Sequence, residues 1–508
     1  MNKIMIVIKF DDGVVIPDGV DTNYPNIFLG DDFYEAQRLY EQLPTGSVSD
    51  LTTFVWYYKN IFTAFFATRQ LPLPALVCLY CLADKLAYLT NSPLDAPNFL
   101  TYFAFEYELK RETFRDDLDD LAALVMQNPI AHWWYENPLT LCADVHSEVT
   151  DRCLNSNDYY NQLGFQSFPY RGEGVTIIDS EDYGSTPQHT YLPSLTVKLL
   201  NEQTDATTIS NDHFYKTLGV LFAVSPTHRQ TSQPELHGIV PQASLGILAF
   251  PYARTVNVVI AEFLDKFWAN FTTRTVIPAT LKAGQQRISV LLFERQATLQ
   301  IEHGNDDSYF SFPLEVFPDM RKAMIACWEK GIIVIQPAGQ QGNASSIPNL
   351  DTALRRLKRA SRHSATYTDF SKPFLPHSDY TGSASIMVGA LDKTSHIKAQ
   401  ANYGTIIDVY LWGECIESLG SDGHFLPYDF TSAASAIAAG IVGALQSAAM
   451  ASNKVLTTPQ IKSVFNKTFR GGRTAGYQGV PFNSTSVPLQ ELWEQCAQQL
   501  GSISPSSH

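Results

Sequence analysis

The sequence has no run of the ~18 or more consecutive apolar residues that a membrane-spanning helix needs, so no membrane span is expected. It is also short of positive charge. Its 36 Lys and Arg stand against 51 Asp and Glu, for a formal net charge of −15. Phosphate backbones are bound through clustered Lys and Arg, so nucleic acid is excluded as a partner. The same deficit leaves little attraction for an anionic membrane surface. The opening Met1–Phe10 has too short an apolar run for an export signal and reads as a strand. Cysteines are few and odd in number: Cys78, Cys81, Cys142, Cys153, Cys327, Cys415 and Cys496. With no export signal, that set predicts reduced thiols and a cytoplasmic location. Cys78 and Cys81 form a C-x-x-C among core-type residues, which reads as packing and not as a metal or redox site.

What is present is a large apolar fraction, 45% of 508 residues, enough for two domains. Residues 1–165 read as an α+β domain. Strand-like runs at 1–10, 98–107 and 130–136 alternate with helical periodicity at 32–43, 51–68, 75–89 and 114–127. No titratable constellation there points to chemistry, so this is expected to be an accessory domain. From 166 to 475 the pattern changes to short strands that are apolar throughout, at 175–178, 244–250, 288–292, 332–335, 385–390 and 406–411. Helical segments such as 256–271 and 314–330 lie between them. Strands of this kind with helical crossovers predict an α/β fold, a parallel sheet with helices on both faces. Residues 476–508 are polar and rich in Gly and Ser, with a short helix at 489–500, and read as a C-terminal extension.

Three residues in the second region carry candidate chemistry. Asp179 closes the strand Val175-Thr176-Ile177-Ile178, at the carboxyl end where parallel sheets bind ligands; it reads as an orienting carboxylate or as the start of a turn. His213 stands directly before an apolar helical run, one of twelve histidines. Ser432 lies in Asp429-Phe430-Thr431-Ser432-Ala433-Ala434-Ser435, which opens a long helix of small and apolar residues. In the first turn of a helix, the unsatisfied N–H groups and the dipole favour an anion. Ser432 therefore reads as a nucleophile whose attack creates an oxyanion, or, with Thr431, as a helix cap.

Together these segments resemble the subtilisin-like serine peptidases. The order Asp179, His213, Ser432 is the order of that family, and no G-x-S-x-G elbow supports the α/β-hydrolase alternative. Gly238–Leu245, the segment 331–343, and the strands at 385–392 and 406–411 resemble further landmarks of the family in sequence order. The resemblance implies acyl transfer from a protein or peptide substrate to water. Ser432 would attack the carbonyl, His213 would carry the proton, and Asp179 would hold the imidazole tautomer. Gln340 aligns with the oxyanion donor, with Asn343 as the alternative. Leu291, Leu292, Phe293 and Glu294 would pair with extended substrate and border its first side-chain pocket.

The resemblance also implies that residues 1–165 are propeptide-like, with helices added, and serve as an intramolecular inhibitor or chaperone. Calcium is frequent in the family, but no dense carboxylate loop assigns a site here, and no cofactor is expected. The sequence departs from the family in several places. Phe293 and Glu294 stand where the family has small residues beside the first specificity pocket, and their bulk and charge would narrow substrate choice. Phe214 and Phe430 replace glycines beside the histidine and the serine, and Gln340 replaces an asparagine. The expectation is a selective processing endopeptidase; the alternative is a catalytically impaired binding or scaffold protein of the same fold.

Overall fold

The computed structural model describes strand segments at 2–10, 77–78, 102–109, 130–136 and 140–141, with a few residues near 66–70. From 160 it describes most of 160–180, 187–199, 208–226, 235–248, 288–340, 349–354, 383–468 and 489–501. In the first region, β1 (Asn2–Phe10), β2 (Val77–Cys78), β3 (Tyr102–Leu109) and β4 (Ile130–Glu136) form a sheet in the order β2-β3-β1-β4. β1 is central and pairs antiparallel with both β3 and β4. All three strand-like runs expected there are strands. The helices expected at 32–43, 114–127 and 256–271, and most of that at 51–68, lie outside the described residues. Within the helix expected at 75–89, Val77–Cys78 is instead strand β2, paired with β3, and the rest lies outside them.

Next in the chain are β5 (Thr140–Leu141), β6 (Val175–Asp179), β7 (Val197–Leu199), helix α1 (Thr208–Phe222), β8 (Ser244–Ile247) and β9 (Ile288–Leu292). A hairpin of β10 (Arg295–His303) and β11 (Asp306–Pro313) follows, then α2 (Pro318–Glu329) and β12 (Ile333–Pro337). The chain continues through β13 (Ile386–Leu391), β14 (Val409–Trp412) and a second hairpin, β15 (Ile416–Leu419) and β16 (Phe425–Tyr428). Three helices close it: α3 (Phe430–Ala451), α4 (Thr458–Thr468) and α5 (Leu489–Gly501).

Seven of these strands form one sheet in the order β14-β13-β12-β9-β6-β8-β7. Every pairing in it is parallel. β12, β13 and β14 are buried at every position, as a sheet covered on both faces requires. The α/β architecture expected from the sequence is therefore the architecture observed. From β6 the chain winds outward through β7 and β8, then returns to the other side of β6 at β9. The strand order thus reverses between β6 and β9. In an open α/β sheet the crevice at such a reversal, beyond the carboxyl ends of the strands, is where ligands bind.

α3 is the central helix of the cover. It packs on α1, on α5 and on strands β6, β9, β12, β13 and β14. It is long and apolar enough to cross a membrane, yet it is buried from Phe430 through Ala449; it is a core helix. Its small residues allow close approach. A Cβ at Gly440 would lie 2.7 Å from Ile239 Cβ and Cγ2. An alanine in a helix interior ordinarily gains about 1 kcal/mol over glycine. Overpacking of a close-packed core costs ~1–3 kcal/mol and opposes that gain. At 2.7 Å the clash wins, so Gly440→Ala is expected to lower the urea midpoint of unfolding; a raised midpoint would refute close packing here. α5, from the C-terminal stretch, buries Leu489, Leu492 and Cys496 in this same core.

Candidate active site

The carboxyl ends of β6 and β9 are locked together. Asp179 pairs with Leu292 across the two strands. The Ser180 hydroxyl and N–H both donate to the Leu292 carbonyl, at 2.9 and 3.2 Å. Arg295 Nε donates to the Ser180 carbonyl at 3.3 Å. Asp179, Ser180, Glu294 and Arg295 are all buried. The strand reversal therefore carries two carboxylates, Asp179 and Glu294, on adjacent strand ends.

α1 and α3 bring the other two residues to this point. His213 lies in the second turn of α1 and Ser432 in the first turn of α3. His213 Nε2 is 3.1 Å from Ser432 Oγ, a hydrogen bond between residues 219 positions apart. Both are buried. With the proton on Nδ1, Nε2 is the acceptor for the serine hydroxyl, which is the tautomer a general base needs. The opposite ring nitrogen, Nδ1, faces Glu294 Oε2 at 4.0 Å, an ion-pair distance and too long for a hydrogen bond. The Tyr428 ring stands edge-on to the imidazole, with centroids 5.3 Å apart and planes at 90°.

Ser432 does not cap α3, and neither does Thr431: the N-cap position is Asp429, whose side chain makes no capping bond. Its carboxylate accepts instead from the Cys415 N–H at 2.8 Å and pairs with Lys398 at 3.3 Å. Phe430 then takes φ +60°, a left-handed conformation that costs a non-glycine residue roughly 1–3 kcal/mol. Phenylalanine here adopts the backbone that a glycine would supply freely. The surroundings hold it there. The Phe430 N–H donates to the Gly413 carbonyl at 2.6 Å, and Lys398 Nζ sits 4.7 Å from the Phe430 ring centroid. Gly413 is needed at that contact, since a Cβ would lie 2.3 Å from the Phe430 carbonyl oxygen. The second departure, Phe214, is a fully buried core residue of α1.

Gln340 follows the carboxyl end of β12, in a loop reached through Gly339 at φ +84°. Its carbonyl accepts from the Ser311 N–H at 3.0 Å, and its backbone bridges to Ala401. Asn402 pins the loop by donating from Nδ2 to the carbonyls of Ser311 and Ala338, at 2.6 and 2.7 Å. Asn343, the alternative donor, lies outside the described residues.

Leu291, Leu292, Phe293 and Glu294 occupy a different environment from the one their sequence neighbourhood implies. β9 lies between β6 and β12, so both backbone edges of Leu291 and Leu292 are already paired. The Phe293 N–H donates to the Ile335 carbonyl at 2.9 Å. All four side chains are buried. A substrate strand has no open edge at this position. The extended segment that follows, Arg295–Gln296, is paired antiparallel with Leu141 and Thr140 of β5. Glu294 in turn accepts from the Thr217 hydroxyl at 2.6 Å and the Tyr428 hydroxyl at 2.8 Å. The sequence reading missed this contact set.

No cysteine nucleophile competes among the described thiols. Burial raises the Cys327 thiol well above its ordinary range and pushes Cys496 up to about 12, so neither forms the reactive thiolate near neutral pH. Cys415 is disulfide-bonded, which departs from the expectation of reduced thiols throughout. Among the described residues, no group of three or more His, Cys, Asp and Glu could hold a metal ion.

No protein-family model and no curated protein matches the chain. Among solved structures it resembles the Prenylagaramide maturation protease PagA, at 13% identity and a TM-score of 0.41, over 66% of this chain and 98% of that one. MycP1 from Mycobacterium smegmatis is similar at 15% identity and a TM-score of 0.40, over 70% and 88% respectively. The Patellamide maturation protease PatA is similar at 12% and 0.39, over 64% and 98%. These neighbours are subtilisin-like peptidases, the family that the sequence resembles. At TM-scores of 0.39–0.41 these likenesses carry no argument about this chain.

Proposed function

We propose that the chain is a serine endopeptidase that hydrolyses a protein or peptide substrate. The observation that carries this reading is the buried 3.1 Å contact between His213 Nε2 and Ser432 Oγ, in the first turn of a helix beside the reversal point of a parallel sheet. Ser432 is the nucleophile, His213 the base that takes its proton and passes it to the leaving amine, and Asp179 an orienting carboxylate. Attack at the first turn of α3 places the developing oxyanion where helix N–H groups and the dipole favour it. The chemistry needs no cofactor.

Gln340 is assigned the side-chain half of the oxyanion site. The loop that carries it is shaped by Gly339 at φ +84° and by the Asn402 side chain. Gln340→Ala is expected to lower kcat on a peptide substrate by about 10²–10³ with little change in KM. Unchanged kcat would remove Gln340 from the mechanism. The reading as a whole is tested by incubating the full chain with a peptide library and identifying products by mass spectrometry. New amino and carboxyl termini at defined sites support it. Their absence, or release of ester-linked groups only, contradicts it.

Residues 1–165 are proposed as an intramolecular partner of the site, an inhibitor or chaperone. The support is that β5 supplies an added strand to Arg295–Gln296, the kind of pairing an extended peptide makes at a sheet edge. One observation bears on the alternative of a non-enzymatic scaffold: Ser432 is 0% exposed, so substrate reaches it only after something moves. The same burial is what an inhibited peptidase requires, and the library experiment repeated after proteolytic release of residues 1–165 separates the two.

A further inference from the structure

We infer that Glu294 is a positioning carboxylate for His213, acting on the Nδ1 side of the ring to stabilise the imidazolium formed during proton transfer. The inference rests on the peptidase reading for its chemistry but not for its geometry. Glu294 Oε2 lies 4.0 Å from His213 Nδ1. Its two oxygens are held separately, Oε2 by Thr217 Oγ1 and Oε1 by the Tyr428 hydroxyl. Those two hydroxyls are themselves 2.8 Å apart. Thr217 follows His213 by four residues, one turn along α1, and its hydroxyl is also 3.3 Å from the His213 carbonyl. Tyr428 packs its ring edge-on against the imidazole. The acid is therefore oriented by two side chains, one of which, Tyr428, also packs on the imidazole.

The charge environment supports the assignment. Glu294 is completely buried, and in such surroundings a unit charge 4 Å away acts far more strongly than in water. The other groups around His213 come from several elements. Asp179 lies at the end of β6 and Arg295 at the start of β10; the latter's guanidinium is bonded to the Ser180 carbonyl. Asp212 and Lys216 share α1 with His213, Glu417 lies on β15, and Tyr428 closes β16. α3 contributes no charged side chain. Glu294 faces Nδ1, the ring nitrogen opposite the one beside Ser432 Oγ, so its effect runs through the imidazole.

A purely structural role, tying α1 to β16, makes a different prediction from a positioning role, and Glu294→Gln separates them. Glutamine keeps an acceptor for one of the two hydroxyls, turns its amide N–H₂ as a donor to the other, and removes the charge. In the full chain, labelled at the histidine rings and assigned by comparison with His213→Gln, the titration midpoint of His213 is expected to fall by about 1 pH unit. The sign follows because loss of a neighbouring anion disfavours the protonated ring. The acid limb of kcat/KM is expected to move to lower pH by the same amount, with kcat reduced and KM unchanged. Glu294→Asp, which retains the charge at a longer distance, is expected to recover part of the shift.

A folded Glu294→Gln chain with an unchanged His213 midpoint overturns the inference. If that variant does not fold, Tyr428→Phe takes its place. It keeps the ring edge on His213 and removes one hydroxyl from Glu294; the expected result is a lower kcat at constant KM, and an unchanged kcat overturns the inference. The titration is read without turnover. A shifted midpoint in a chain that cleaves no peptide would sink the peptidase reading alone, and an unshifted midpoint in an active chain would sink the Glu294 assignment alone.

Discussion

Ser432→Ala is expected to reduce peptide hydrolysis by about 10⁶-fold, to the level left by binding and the oxyanion site alone. The physical reason is that the Ser432 hydroxyl is the one that lies 3.1 Å from His213 Nε2. Ser435 lies three residues further along α3, and Thr431 precedes it without a described bond to the imidazole. His213→Ala should cost about as much as Ser432→Ala, and the double variant little more than either, because the two act as one proton-transfer unit. Additive losses would show that serine and histidine work independently. The stability of Ser432→Ala should be close to that of the native chain, since a small hydroxyl is replaced by a methyl group within an alanine-rich helix. A large loss of stability would mean that the hydroxyl is structural.

The second large effect falls on stability, away from the site. Glu315 lies in the 3₁₀ turn Leu314–Val316 that precedes α2 and is completely buried. It accepts from Arg321 Nη1 at 3.0 Å, from the Ser383 hydroxyl at 2.8 Å, and from the N–H groups of Ala384 and Ser385 at 3.0 and 2.6 Å. Ser385 leads into β13, and its hydroxyl accepts from Gln336 Nε2 of β12 at 2.6 Å. One carboxylate thus joins the start of α2 to the amino end of β13. Glu315→Ala leaves the Arg321 charge buried without this partner and is expected to cost ~3–5 kcal/mol.

Replacing Glu315 and Arg321 together by methionine removes the unpaired charge but still strips the acceptor from two backbone N–H groups, at about 1–3 kcal/mol each. The double variant should therefore remain destabilised. Urea unfolding decides this: a native-like midpoint for Glu315→Ala would show that the network contributes little, and a fully restored double variant would show that only the charge matters.

Much of the second region was legible because its strands are apolar without interruption, and that pattern has few solutions besides a covered parallel sheet. β6, β9, β12, β13 and β14 were anticipated to within a few residues. β7 was missed because three residues carry too little pattern to read. The β10–β11 hairpin was missed although a signal existed: Gly304-Asn305 sits between two alternating runs, a recognised two-residue turn pair. The helix expected at 314–330 is instead a 3₁₀ turn followed by α2, with Pro318 at its first position.

At the site, His213 and Ser432 were weak signals in their local settings, singled out by their order with Asp179 and the family resemblance, and they are in contact. Glu294 was misread for a physical reason. A charged residue just past an apolar strand looks like the strand's exit to solvent, whereas here its partners, Thr217 and Tyr428, are 77 and 134 positions away. Only the packing of α1 against β16 brings those hydroxyls together. Phe430 shows the complementary limit. Its side chain argues against the left-handed backbone that it adopts, and the compensation comes from Gly413 and Lys398, which no local reading would connect to it.

The central claim is that Ser432 is a nucleophile activated by His213. It is tested most directly by treating the full-length chain with a fluorophosphonate and mapping the adduct by mass spectrometry of its peptides. The account predicts a single phosphonylated site at Ser432, lost in Ser432→Ala and strongly slowed in His213→Ala. No adduct at Ser432 either in the full-length chain or after proteolytic release of residues 1–165, or equal labelling without His213, would contradict it.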